Sequence, residues 1–168
     1  MRISAAYVTT NRPARSGSPP GTTKGTTMKA LYTIEALATG DGRNGHVRST
    51  TGRVDTDLAV PAEMGGSGAD LPNPEELFAA GYAACFHSAL QLVARREKKE
   101  LGESAVGSRV SIGATDDGGF ALAVALEVVI PSQPHDVAQA LADAAHQVCP
   151  YSNATRGNIE VTVSVVDD

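Results

Sequence analysis

The chain has 168 residues, 42% hydrophobic and 20% charged, which suits one domain with a real core and argues against two. The formal charge is −5; residues 1–27 hold Arg2, Arg12, Arg15 and Lys24 and no acid, so residues 28–168 carry ten basic against nineteen acidic side chains. A body that acidic, with no basic stripe, argues against a nucleic-acid partner, and outside one mixed central segment no apolar run reaches the roughly 18 residues of a membrane span.

Residues 1–27 are rich in Ser, Thr and Arg and lack the apolar segment of a secretory signal. Their Gly and Pro content spoils an amphipathic targeting helix. The expectation is a disordered extension, or a mis-assigned start with Met28 as the true first residue, followed by a single domain over 28–168. With no secretory signal the expected location is the cytoplasm, where a permanent disulfide between Cys85 and Cys149 is disfavoured and redox or catalytic chemistry gains weight.

Lys29 to Ala38 alternates as a strand, with Tyr32, Ile34, Ala36 and Ala38 on one face. Gly40-Asp41-Gly42-Arg43-Asn44-Gly45 tolerates positive φ and predicts a hairpin into a strand over His46–Thr50. Val54 to Val60 alternates as a third strand. The loop from Pro61 to Asn73 holds Gly65-Gly66-Ser67-Gly68, which lacks the Lys and spacing of a phosphate-binding loop and reads as a plain flexible loop.

Asn73 then predicts an N-cap, Pro74 a first helical turn, and Glu75 and Glu76 complement the positive end of the helix dipole. The helix should run about 25 residues, roughly 38 Å, into Arg95-Arg96-Glu97-Lys98-Lys99. Between Leu77 and Val93 it is apolar nearly all round, which predicts burial on every side, and its Ala and Gly steps invite a second helix. Beyond it, Val106–Thr115 and Phe120–Ile130 flank Asp116-Asp117-Gly118-Gly119 as a hairpin whose second strand is central. His135–Val148 is an Ala-rich helix stopped by Pro150, and Ile159 to Val165 alternates as a last strand. The fold class is α+β, built from antiparallel hairpins, and a second copy of the chain is the natural cover for the apolar helix.

Cys85 sits in the middle of the long helix and Cys149 between a helix end and Pro150, where a side chain can move. One rigid and one movable thiol suit an attacking and a resolving pair; two inert core thiols are the alternative. Cys85-x-His87 with His146-x-x-Cys149 offers zinc-type ligands, but helix positions two apart point about 200° from each other and do not face one ion. A nucleophilic Cys85 needs a cation, because burial raises its pKa and the dipole fades after the first turn. Arg43 and Arg156 are the candidates.

Four segments carry a resemblance: Leu31-Tyr32-Thr33, Gly42-Arg43-Asn44-Gly45, the run from Asn73 to Phe86, and the run from Ala145 to Ile159. Over about residues 28–168 the sequence resembles the organic hydroperoxide resistance (Ohr) family of the OsmC superfamily. The resemblance implies an OsmC-like fold, with antiparallel sheets around long central helices in an intertwined homodimer. It also implies a thiol peroxidase site at the subunit interface, with Cys85 peroxidatic, Cys149 resolving, and Arg43 and Glu75 as partners of the thiolate. It implies no bound metal or flavin, organic hydroperoxides as substrates, and a lipoylated protein as electron donor through its dihydrolipoyl group.

On that basis the Cys85 thiolate attacks an alkyl or fatty-acid hydroperoxide, and Phe78, Tyr82 and Phe86 are expected to form a greasy substrate pocket. An OsmC-type enzyme with another peroxide preference and a non-enzymatic dimeric binding protein are the rival readings. Glu75 and Cys85 lie ten residues apart, about 15 Å along one helix, too far for both to touch one guanidinium. They meet only if the helix bends near Gly81 or if Glu75 comes from an antiparallel partner helix, and the partner is the expectation.

Overall fold

The computed structural model describes residues 29–166; the expectations for residues 1–27, and for Met28 as the start, lie outside them. Residues 34–166 belong to one compact unit. Its element order is β1 (Ala36–Thr39), β2 (His46–Ser49), β3 (Asp55–Asp57), α1 (Pro74–Arg96), β4 (Ala105–Ala114), β5 (Phe120–Val129), α2 (His135–Val148), α3 (Pro150–Thr155) and β6 (Glu160–Val165).

Two separate three-stranded sheets result, ordered β1-β2-β3 and β4-β5-β6. In the first, all pairs are antiparallel and the strands are shorter than the alternation suggests. The expected strand over Lys29–Ala38 reduces to β1, whose ladder with β2 runs only from Ala36 opposite Ser49 to Thr39 opposite His46. Alternation alone does not make a strand; a residue needs a backbone partner.

The second sheet corrects the antiparallel expectation. β4 and β5 pair antiparallel in full register, from Ala105 opposite Val129 to Ala114 opposite Phe120. β6 lies parallel to β5, with Val124 beside Val161 and Val128 beside Val165. The reason is the crossover: α2 and α3 carry the chain back to the end where β5 began, and a helical crossover delivers a parallel strand.

α1 begins as its sequence dictates. Asn73 Oδ1 accepts from the Glu76 N–H at 2.9 Å, and the Asn73 amide donates to Glu76 Oε1, a reciprocal cap. The helix ends at Arg96, and its length and composition alone would suffice to cross a membrane. In this fold it is the core helix, packed against β4, α2 and α3. It is not buried on every side. Tyr82, Phe86, Ala89, Leu90, Val93 and Ala94 form one buried stripe, while Leu77, Ala80, Ala84, Ser88 and Gln91 form an exposed stripe on another face. An apolar composition all round thus divides into a face this chain covers and a face it leaves open.

The core joins the α1 stripe to Val124, Leu126, Val128 and Ile130 and to Ala138, Leu141, Ala142 and Ala145 of α2. At ~1.5–3 kcal/mol for each large side chain removed from water, this cluster is what holds the helices on the second sheet. The first sheet has no such support. β1 is exposed along its whole length, Leu37 and Val54 are exposed, and the sheet makes no extensive contact with the helices or with β4–β6.

Candidate active site

Pro150 ends α2 as expected, because the residue before a proline leaves the helical region; Cys149 sits there at φ −64°, ψ 125°. The same proline then opens α3, a helix the sequence reading missed, with Cys149 as its N-cap residue. The consequence for the thiols is direct. Cys149 is fully buried, so it is not the movable side chain that its place between helix and proline suggests. Its Sγ lies 3.7 Å from Cys85 Sγ, a contact between positions 64 apart in the chain, and both cysteines are free. Closing 3.7 Å to the ~2.05 Å of a disulfide is a side-chain-scale movement.

Tyr151, which sequence reasoning also missed, completes this corner. Its ring stacks on Phe78 with centroids 6.0 Å apart and lies 5.7 Å from the Tyr82 ring. Gly81 makes the approach possible: a Cβ there would stand 3.2 Å from Tyr151 Oη. The small step in α1 therefore admits a side chain of its own fold. A Tyr one residue beyond a Cys-Pro pair was the available signal.

Two of the three expected pocket residues are corrected. Tyr82 and Phe86 have no exposed surface, because both point into the core from the α1 stripe. Phe78 is half-buried, and Tyr151 is the aromatic that shares its surface.

Burial pushes the Cys85 thiol up from its ordinary value; the Tyr151 backbone N–H opposes that shift, and the adjacent Cys149 adds to it. No cation enters this balance. Arg156 donates to the backbone oxygen of His146 at 2.7 Å, capping the end of α2 rather than serving the thiol. His87 bonds Ser104 Oγ at 3.0 Å, and His146 lies against Phe86. Their separate partners leave no four-ligand cluster of the two cysteines and two histidines, and no other His, Cys, Asp or Glu group of that kind forms among the described residues.

Arg43 is elsewhere. Residues Gly42–Asn44 form a 3-10 turn at the tip of the β1–β2 hairpin, closed where Gly45 lies so near Thr39 that a Cβ would meet its carbonyl oxygen. The tip is tied down on the far side of β3: Asn44 Oδ1 accepts from the Val60 N–H at 3.1 Å and the Leu58 N–H donates to Gly45 O at 2.8 Å. The next residue along, Ala59, donates its N–H to Pro72 O, just ahead of α1. This chain of bonds aims Arg43 at the first turn of α1, where both guanidinium Nη atoms donate to the Glu75 carboxylate at 2.6 and 2.7 Å. The Arg43 hydrogen bond holds the Glu75 carboxyl below its usual range. A cleft of about 390 Å³ adjoins Glu75, with Pro61, Met64, Ala79, Val110 and Ile112 on its apolar wall and Glu63, Asn73 and Glu76 beside Glu75 on its polar one.

The four expected catalytic residues thus form two pairs. Cys85 meets Cys149, Arg43 meets Glu75 within the same chain, and neither member of the second pair contributes to the surroundings of Cys85. α1 is one helix through Glu75, Gly81 and Cys85, and its course within one chain does not bring Cys85 to the Arg43–Glu75 pair.

Comparison with known proteins places the chain in a family. The OsmC-like protein family matches residues 66–164. The organic hydroperoxide resistance protein of Xanthomonas axonopodis pv. citri is 51% identical over 138 residues, covering 82% of this chain and 96% of its own. OhrB of Bacillus subtilis, also an organic hydroperoxide resistance protein, is 43% identical over 137 residues, covering 81% of this chain and 98% of its own. The crystal structure of an organic hydroperoxide resistance protein from Elizabethkingia anophelis superposes with a TM-score of 0.79 at 53% identity, covering 84% of this chain and all of the other. With cysteines, arginine and glutamate set in a fold shared over nearly the whole of these relatives, the chain belongs to the OsmC family, in its organic hydroperoxide resistance branch.

Proposed function

We propose that the protein is a cysteine-based peroxidase that reduces organic hydroperoxides to alcohols in a reducing, cytoplasmic setting. The observation that carries this reading is the 3.7 Å contact between two free thiols that stand 64 positions apart in the chain. The Cys85 thiolate attacks the terminal oxygen of the hydroperoxide, the O–O bond breaks, and the alkoxide leaves as an alcohol after taking a proton. Cys85 is then a sulfenic acid. The Cys149 sulfur attacks it, a disulfide forms, and water departs. A dihydrolipoyl dithiol on a partner protein reduces the disulfide to two thiols and is itself oxidised to the cyclic disulfide.

The reading includes a homodimer in which the Arg43–Glu75 pair of one subunit serves the Cys85 thiolate of the other. Three observations support it. The thiol of one chain is pushed up by burial with no cation to oppose that. The Arg43 side chain is 37% exposed although its carboxylate partner is 14% exposed, which leaves guanidinium surface for a further group. The exposed stripe of α1 carries Leu77, Ala80 and Ala84, and the first sheet and its turn expose Leu37 and Val54, apolar side chains that a second copy would cover. A guanidinium held by Glu75 would stabilise both the thiolate and the charge developing on the leaving oxygen. The Pro61, Met64, Ala79, Val110 and Ile112 wall of the cleft beside Glu75 favours hydrocarbon-bearing peroxides over hydrogen peroxide.

The test is steady-state peroxide consumption with dihydrolipoamide as reductant. tert-Butyl hydroperoxide should be consumed far faster than hydrogen peroxide. No consumption of either would leave only a binding role, and a preference for hydrogen peroxide would refute the organic-substrate assignment.

A further inference from the structure

A buried polar contact runs beside the two thiols. The Tyr82 hydroxyl donates to Ser152 Oγ at 3.0 Å and lies 3.2 Å from Thr155 Oγ1, and Tyr82 and Ser152 have no exposed surface at all. Its place is regular. Tyr82 stands three residues before Cys85 on α1, and Ser152 stands three residues after Cys149 in α3. The hydroxyl bond and the sulfur contact are therefore two parallel rungs, one helical turn apart, between the same two elements. α3 is only six residues long, too short to hold its own position without such ties. Thr155 Oγ1 also approaches the Tyr151 and Ser152 carbonyl oxygens, so the network stiffens the turn that carries Cys149.

We infer that Tyr82 is a positioning residue for the resolving step: its hydroxyl, through Ser152 and Thr155, fixes how closely Cys149 is held to Cys85. This rests on the peroxidase reading above. Once Cys85 is a sulfenic acid it has two fates. Attack by Cys149 gives the disulfide and water; attack on a second hydroperoxide gives a sulfinic acid and an alcohol, and only the first is reversible by a dithiol. The Tyr82 rung biases that partition toward the disulfide. An ordinary buried hydrogen bond, at a net ~1 kcal/mol, corresponds to about fivefold in the effective concentration of Cys149.

The experiment treats wild type, Tyr82→Phe, Ser152→Ala and the double variant with the same excess of tert-butyl hydroperoxide and measures Cys85 sulfinic acid by mass spectrometry. Each single variant should form sulfinic acid about fivefold faster, and the double variant little more than the larger single, as expected for two ends of one bond. Val128→Ala, which opens a cavity in β5 beside Val165, at the end of β6 opposite the one that follows α3, controls for general loosening. It should melt lower without raising sulfinic acid. A wild-type sulfinic fraction in Tyr82→Phe, or an equal rise in Val128→Ala, overturns the inference. If Tyr82→Phe fails to fold, Ser152→Ala alone decides it by the same outcomes.

A glutathione redox buffer separates this from the peroxidase reading. There the ratio of internal disulfide to Cys85–glutathione mixed disulfide measures the Cys149 effective concentration without any peroxide. That ratio should fall about fivefold in Tyr82→Phe even if no peroxide is consumed; an unchanged ratio contradicts the positioning role.

Discussion

The two halves of the molecule are built on different terms. From α1 onward, three helices and β4–β6 enclose a continuous core, and the thiols meet where packing and a buried polar network hold them. The β1–β3 half has no core. It consists of three short strands with an exposed first strand, and it holds Arg43 at the tip of a tied-down turn. The difference teaches where each half gets its definition. The helical half holds its two thiols together within one chain, whereas the hairpin half presents Arg43, paired with Glu75 of α1, beside strands that this chain leaves bare.

Substitutions in the helical half should change the redox chemistry most. Cys85→Ser should abolish peroxide consumption altogether. Cys149→Ser should consume one equivalent and then stall as sulfenic or sulfinic acid. If Cys149→Ser cycles normally with a dithiol, the 3.7 Å contact is not the resolving contact and the comparison loses its first term.

Substitutions in the hairpin half should leave both thiols in place and slow the first step. Arg43→Met should lower kcat/KM by about 100-fold, the usual loss when one preorganised donor is removed from a developing charge. The Cys85–Cys149 disulfide should still form with diamide. Loss of diamide-driven disulfide formation in Arg43→Met would mean that the hairpin half shapes the thiol corner after all.

Gly81→Val should sharpen the contrast by damage confined to the helical half. The side chain would enter the space of the Tyr151 ring and cost ~1–3 kcal/mol, read as a lower denaturation midpoint. An unchanged midpoint would show that Tyr151 yields freely.

The smallest effect belongs to His46 at the base of the Arg43 turn. Its two ring nitrogens lie 2.7 Å from Asp57 and 2.9 Å from Asp55, and the Asp57 hydrogen bond, with Asp55 second, raises its pKa. The stabilisation is fully present below the unfolded value near 6.5 and is lost as pH rises through the raised folded value. The melting-temperature difference between wild type and His46→Gln should therefore shrink from pH 5.5 to pH 9. A difference that grows with pH would reverse this assignment.

Much of this was legible from local chemistry. The Asn73 cap, the α1 start, α2 over His135–Val148 and the hairpin at Gly118 all follow from residue preferences that act within one turn. What was not legible depends on remote partners. β6 is parallel because the crossover through α2 and α3 returns the chain to the start of β5, and the helix hidden in Pro150–Thr155 goes with a Cys149 that is buried rather than mobile. Tyr82 and Phe86 read as pocket aromatics because composition does not reveal which face of an apolar helix its own chain covers. The pairing of Arg43 with Glu75 rather than Cys85 likewise depends on bonds that anchor the turn across 32 positions of sequence.

The most direct test of the account is a mixing experiment on the two halves of the site. Cys85→Ser subunits and Glu75→Ala subunits are each assayed alone, then mixed under conditions that exchange subunits. If the Arg43–Glu75 pair of one copy serves the Cys85 of another, each heterodimer has one site lacking both residues and one intact site. Organic hydroperoxide consumption should then rise from near background toward half the wild-type value per heterodimer. No recovery, with exchange confirmed by mass spectrometry, would contradict the shared site.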